Sequence, residues 1–233
     1  MANFSGNSRA KYVRDMFASL AGHYDRANRW MTWGQDLKWR REVIDRAQLP
    51  KGGRLLDIGT GTGDLAIEAI RRDETLLVVG ADFTPEMMRI GRLREAAESL
   101  CWVNNDALVL PYCTGAFDAV ISSYLLRNVS DVQAALEEQY RVLKTGGRVV
   151  CLDTTPPPVD IWHLPVRFYL RFVIPVIGGW VAGDHSAYRY LPESTARFLT
   201  APKLAECMRK VGFIQVGYRC FMGGSMAIHW GMK

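Results

Sequence analysis

Residues 55–65 read LLDIGTGTGDL. Three glycines alternate with two threonines, and an aspartate stands on either side of the run. The residues leading in, RLLDIG (54–59), are a short apolar stretch ending in glycine, the pattern of a buried strand. Those leading out, DLAIEAIRR (64–72), carry apolar side chains at helical spacing. A strand, a glycine turn and a helix in that order predict an α/β fold, with the loop at the carboxyl end of the first strand. Glycine loops in that place usually hold phosphate, which the flanking carboxylates would repel.

Working outward, LLVVGAD (76–82) reads as a second buried strand. Thr84 and Pro85 then look like the N-cap and first residue of a helix over EMMRIGRLREAAES. CWVNND (101–106) and FDAVISSY (117–124) predict further strands, and 131–143 a helix stopped by Gly146 and Gly147. RVVCLD (148–153) is the fifth strand. Strands alternating with helical patterns imply a mainly parallel sheet. A helix from about Pro202 to Val211, closed by Gly212, then precedes FIQVGYRC and SMAIHWGM, which predict a terminal antiparallel hairpin. The expected fold is a Rossmann-like α/β domain with a seven-stranded sheet. Within it, 1–53 is a helical cover with two helices, 54–153 the cofactor-binding core, 154–200 a substrate-side insertion and 201–233 the final helix and hairpin.

The 233 residues are 48% hydrophobic and 23% charged, an ordinary globular balance for one domain. A net charge of +5 is compatible with an anionic surface but specifies no nucleic-acid partner, and none is expected. The five cysteines are scattered, without C-x-x-C spacing or nearby histidines, which suggests reduced thiols in a cytosolic protein and no metal centre. The start, MANFSGNSRAKYVRDMF, has no apolar core and does not read as a signal peptide.

The loop spacing is G-x-G-x-G; the third glycine of a dinucleotide loop would fall on Asp64, which disfavours a nicotinamide dehydrogenase. Gly59, Gly61 and Gly63 allow close backbone approach. Asp57 and Asp64 would favour a ligand carrying an ammonium and a sulfonium. Asp82, ending the second strand, can accept from two ribose hydroxyls. Asp106, after the third, can accept from an adenine amino group. S-adenosyl-L-methionine meets all of these demands.

With those residues in place the chain resembles class I S-adenosylmethionine-dependent methyltransferases. LLRNVSD (125–131), RVLKTGGRVV (141–150), YRYLPES (188–194), GGSMAIHWGMK (223–233) and YDRANRWMTWGQDLKWRR (24–41) narrow the resemblance to the ubiquinone/menaquinone biosynthesis C-methyltransferase family, over nearly the whole chain. The resemblance implies cofactor contacts at Thr62, Asp82, Asp106, Ala107 and Ser123. It implies C-methylation of a polyprenylated quinol, demethylmenaquinol to menaquinol, without a metal.

Arg127 and Asn128 follow the fourth strand at the correct end of the sheet, so Arg127 is the candidate for stabilising a phenolate, with Asn128 fixing its neighbourhood. Tyr188, with Arg189, comes from the insertion to close the pocket. Asp153 and His229 are the next candidates, and an ion pair with Asp131 is the bland alternative for Arg127. The family's Glu-Phe-Ser-Lys run after strand five has become Asp153, Thr154, Thr155 and Pro156. That leaves two alternatives open: a methyltransferase for another small phenolic or lipid-like substrate, and a non-catalytic lipid-binding scaffold. The stretch 159–183 is aromatic and branched but broken by Pro165, Pro175, Arg167 and Arg171. It is expected to cover the sheet and to touch a membrane surface without spanning it, which puts the protein in the cytoplasm, peripheral to the inner face of the membrane. A homodimer is left open.

Overall fold

The structure is a computed structural model that describes residues 6–22, 24–158, 163–173 and 185–233. Its sheet has seven strands in the order β3-β2-β1-β4-β5-β7-β6. These are β1 (Arg54–Ile58), β2 (Leu77–Asp82), β3 (Leu100–Asn104), β4 (Phe117–Ser123), β5 (Leu143–Thr154), β6 (Ile214–Phe221) and β7 (Met226–Met232). The first five pair in parallel, and β7 runs antiparallel to both β5 and β6.

β1, RLLDI, is buried from Leu55 to Ile58 and apolar there except at Asp57, because both its faces are covered. Leu55 packs with Trp39, Val43, Ile70 and Ile121 on one side. Leu56 packs with Val120, Leu136, Val149 and Leu204 on the other. The covering helices are α1 (Gly6–Leu20), α2 (Tyr24–Met31), α3 (Asp36–Ala47), α4 (Asp64–Arg72), α5 (Pro85–Gly91), α6 (Val132–Val142), α7 (Leu164–Phe168), α8 (His185–Arg197) and α9 (Ala201–Val211). The chain lays β2 and β3 to one side of β1 and then returns to place β4 on the other. The crevice at that reversal, beyond the carboxyl ends of β1 and β4, is where ligands bind in open sheets of this kind.

Four local expectations are corrected. The first 53 residues hold three helices, because Trp33 and Gly34 at φ 54° and 72° break the helical run between α2 and α3. α5 ends at Gly91 instead of running on to 99: Gly91 lies so close to the Trp102 ring that a Cβ would overlap it, and Ala96 at φ 66° turns the chain into a short 3-10 turn ahead of β3. Thr84 precedes α5 without capping it through its side chain; the Asp82 carboxylate accepts its backbone N–H instead, at 2.7 Å. Asp131 does cap α6, its carboxylate accepting from Ala134 N at 3.0 Å, and so is not the partner of Arg127. In the insertion, α7 continues into a single π turn at Tyr169–Val173. The expectations for 159–162 and 174–183, Pro175 among them, lie outside the described residues, as do those for the side chains of Pro165, Arg167 and Arg171.

Candidate active site

A cleft of about 820 Å³, open to solvent at its mouth, lies over the carboxyl ends of β1, β2 and β4. The glycine loop forms its floor. Gly59 and Gly61 take φ 69° and 56°, a backbone that favours glycine, and the Gly59 and Thr60 N–H groups tie the loop to β2 by donating to Ala81 O. Asp82 lies across the loop: its Oδ2 accepts from Gly61 N at 2.8 Å while Oδ1 accepts from Thr84 N. Burial raises its pKa, against the lowering effect of those N–H donors. The apolar walls include Ile58, Phe83, Met87, Ala107 and Leu125, and Val13 and Phe17 of α1 lie over them. Thr62, Ala107 and Ser123 line the cleft.

The two flanking carboxylates do not act as a pair. Asp57 is 1% exposed and lies beneath the loop, accepting the Thr60 hydroxyl at 2.7 Å. Burial pushes its pKa up to about 7. It shapes the turn from below rather than facing a ligand. Asp64 does line the cleft, but it is ion-paired with Arg40 and, at 2.6 Å, with Arg94. Burial pushes the Asp64 carboxyl up, and the two guanidiniums more than offset that, holding it below the usual range. Gly63 is also placed differently from expectation. Its φ of 86° starts α4, and a Cβ there would come 2.7 Å from the Trp102 ring, so it serves helix packing.

Asp25 of α2 is a cleft carboxylate that sequence reasoning missed. It accepts the Thr62 hydroxyl at 2.8 and 2.9 Å. Burial, together with Asp64 nearby, pushes its pKa up to about 6. Asn105, also missed, faces the cleft beside Ala107, and its buried Oδ1 has no hydrogen-bond partner. Asp106 sits between them but is exposed outside the cleft lining, with Oδ1 accepting from Leu108 N at 2.9 Å.

A second, smaller cavity, also open to solvent, adjoins the first, and Asn28 and Tyr124 line both. Met31, Met222, Met226 and Pro192 give it apolar walls; Arg127, Thr154 and Thr195 add polar ones. Arg127 is buried and paired with Asp153 at 2.7 Å, and its backbone N–H also donates to that carboxylate, at 3.1 Å. Its guanidinium lies 5.0 Å from the centroid of Tyr124, a residue held at φ 56° where β4 ends. Asn128 lines the cofactor cleft; its Nδ2 donates to Tyr124 O at 2.7 Å and its Oδ1 accepts from Tyr190 at 3.2 Å. The tyrosine brought to Asn128 is thus Tyr190. Tyr188 and Arg189 lie on α8, and their side chains are outside the described ones. His229 lines neither cavity; its Nε2 pairs with Ala201 O at 2.9 Å, and burial lowers its pKa, as befits a structural imidazole.

A family model for the ubiE/COQ5 methyltransferase family matches residues 5–233. The chain belongs to that family. It is 46% identical over 226 residues to the ubiquinone/menaquinone biosynthesis C-methyltransferase UbiE of Desulfotalea psychrophila, covering 97% of this chain and 92% of that one. It is 44% identical to the demethylmenaquinone methyltransferase of Thermus thermophilus, covering 93% and 99%. Among solved structures the fold is shared with the [4+2]-cyclase SpnF, at TM-score 0.70, 18% identity and coverage of 95% and 94%. It is shared too with a Haemonchus contortus phosphoethanolamine N-methyltransferase 2 in complex with S-adenosyl-L-methionine, at TM-score 0.63, 16% identity and coverage of 89% and 56%.

This ubiE/COQ5 family protein is a C-methyltransferase, and the cosubstrate expected of it is S-adenosyl-L-methionine. Its cleft fits that cosubstrate. A half-buried carboxylate, Asp82, stands at the end of β2, an unpartnered buried acceptor (Asn105 Oδ1) stands among apolar side chains, and the loop leaves its backbone uncovered by Cβ atoms at Gly59 and Gly61.

Proposed function

We propose that the protein methylates a ring carbon of a polyprenylated demethylnaphthoquinol, giving menaquinol. The observation that carries this is the junction of the two cavities at Asn28 and Tyr124, which lets an aromatic ring in the second cavity meet a methyl donor in the first. The Thermus thermophilus relative is named for demethylmenaquinone, the oxidised form of this quinol, which supports the same reading.

S-adenosyl-L-methionine supplies an electrophilic methyl group on a sulfonium sulfur. Asp82 would accept from its ribose hydroxyls, and Asn105 or Asp106 from its adenine amino group. Thr62 and Asp25 would meet its amino-acid end. On the substrate side, a hydroquinone becomes a strong carbon nucleophile once a ring hydroxyl loses its proton. Arg127, fixed by Asp153, places positive charge at that cavity to favour the phenolate. The methionine walls and α8, pinned by Tyr190 to Asn128 and by Thr195 to Thr154 at 2.9 Å, keep water from the ring.

The test is direct. Purified protein given S-adenosyl-L-methionine and reduced demethylmenaquinone should yield a product one methyl heavier by mass spectrometry, while the oxidised quinone stays unchanged. Thr154 replaces the family's usual residue and lines the second cavity, so a benzoquinol of equal tail belongs in the same assay. Preference for the benzoquinol would overturn the naphthoquinol assignment.

The tail needs an exit. Trp30, Trp33, Phe168 and Phe172 are 62%, 75%, 61% and 54% exposed. Trp33 Nε1 donates to Tyr169 Oη at 3.1 Å, and Tyr169 Oη donates to Met31 O at 2.9 Å, joining the α2–α3 turn to the π turn after α7 at the wall of the second cavity. This aromatic face suits a lipid surface, where tryptophan is favoured. Among the described residues no helix is long and apolar enough to cross a membrane, so the contact is peripheral. Replacing Trp33 and Phe168 with serine should lower co-sedimentation with anionic liposomes and raise KM for long-tailed quinols alone. An equal rise for tail-less analogues would make the face structural.

A further inference from the structure

The polar group best placed between the two cavities is one that the reading above leaves without a task. Asn28 sits on α2, is 6% exposed and lines both the cofactor cleft and the second cavity. Its Nδ2 is buried and has no hydrogen-bond partner among the described residues. A buried amide donor without an acceptor is unfavourable, so such a group persists where a ligand supplies the acceptor.

The helix around it is held firmly. One turn earlier Asp25 binds the Thr62 hydroxyl of the glycine loop. One turn later the Thr32 hydroxyl donates to Asn28 O at 2.8 Å and to Asp36 Oδ1 at 3.1 Å, and Asp36 pairs with Arg40 at 3.3 Å. The charged groups at its two sides include Arg127, paired with Asp153, in the second cavity, and Asp25 and Arg40 in the cleft. All four already have partners. Asn28 Nδ2 is an uncommitted neutral donor where the cavities meet.

We infer that Asn28 is a catalytic residue that donates a hydrogen bond from Nδ2 to the phenolate oxygen of the quinol as the adjacent ring carbon takes the methyl group. The inference rests on the quinol reading given above. The hydroxyl proton leaves to water, the electron pair of the resulting phenolate enters the ring, a carbon–carbon bond forms at the ortho position, and the sulfonium carbon–sulfur bond breaks to leave a neutral thioether. The ring hydrogen at that carbon is then lost as a proton, which restores the aromatic ring as the phenolate, and that oxygen takes a proton back from water to give the methylated quinol. Neither oxidant nor reductant is needed. Asn28 acts where negative charge is greatest, and a neutral donor there adds to the charge that Arg127 supplies without requiring another buried ion.

The experiment uses the full chain and three proteins: wild type, Asn28→Leu and Asn28→Asp. Calorimetric affinity for S-adenosyl-L-methionine reports whether each folds with its cleft intact. Single-turnover methylation of a short-tailed demethylnaphthoquinol should fall roughly 10²-fold in Asn28→Leu, and further in Asn28→Asp, where a carboxylate faces the phenolate. Nitronaphthol, a coloured phenol that does not turn over, gives a reading independent of activity. Its half-ionisation pH when bound should rise by about one unit in Asn28→Leu. Single-turnover rates within about threefold of wild type, with an unchanged nitronaphthol titration, would overturn the assignment. A rate loss in Asn28→Leu that Asn28→Asp restores would also overturn it, by showing that size alone matters. If wild-type protein leaves the quinol unmethylated, the quinol reading itself fails, an outcome distinct from both.

Discussion

Arg127→Met is expected to lower folding stability by about 3–5 kcal/mol and kcat by roughly 10²-fold or more. The stability loss follows from the partner left behind. Asp153 is 2% exposed, and methionine would leave its carboxylate buried without the guanidinium it faces at 2.7 Å. Thermal unfolding should read this as a drop on the order of 10 °C for a chain of this size. The rate loss has a separate origin. A phenol near pKa 10 must ionise at neutral pH, and ~3 pKa units correspond to about 4 kcal/mol that fixed charge and donors in a dry site must help supply. The two effects separate in Arg127→Met/Asp153→Asn. Removing the orphaned charge should recover part of the stability, though not all, because the Arg127 backbone N–H loses one acceptor oxygen. It should recover none of the rate. If activity returns together with stability, Arg127 is a structural partner of Asp153 and its place in the chemistry is lost.

That pairing marks the limit of what the sequence could say about the site. The strand–loop–helix at 54–72 was legible because burial on both faces leaves a continuous apolar run and positive φ requires glycine. The mainly parallel sheet followed from the alternation, and the terminal hairpin from its glycine turn. Charge compensation was not legible. Asp64 looked like a free carboxylate for a cation until α3 delivered Arg40, and Arg127 looked free until β5 delivered Asp153. Such partners meet through the sheet order and not through local spacing. Asp25 and Asn28 left a weak trace: YDRAN sets two polar residues three apart on one helical face beside the buried Ala27. Tyr190, whose hydroxyl the structure brings to Asn128, left no local signal in the sequence, because the two meet through the placement of α8.

The cofactor side gives the second large effect. Asp82→Ala should weaken S-adenosyl-L-methionine binding by about 1–3 kcal/mol, between fivefold and roughly 150-fold in Kd, measured by calorimetry. The substitution acts twice. It removes the charged acceptor for the ribose, and it frees the Gly61 and Thr84 N–H groups that the carboxylate holds at 2.8 and 2.7 Å, loosening the loop. Asp82→Asn keeps one acceptor oxygen and most of the shape, so it should fall between the two; an affinity for Asp82→Ala equal to wild type would remove Asp82 from the binding site. The same titration across pH reads Asp25. Burial and Asp64 lift its pKa to about 6, so the folded protein holds that proton more tightly than the unfolded chain does. In the free enzyme the group therefore lowers stability above about pH 6, and this penalty fades as pH falls towards its unfolded value near 4. Binding runs the other way: an ammonium at the amino-acid end favours the ionised carboxylate, so wild-type affinity should rise as pH climbs through about 6 and level off above it. Asp25→Asn removes the titrating group and should flatten that part of the curve; a wild-type and variant profile that run parallel between about pH 5 and 7.5 would place the cofactor's ammonium elsewhere in the cleft.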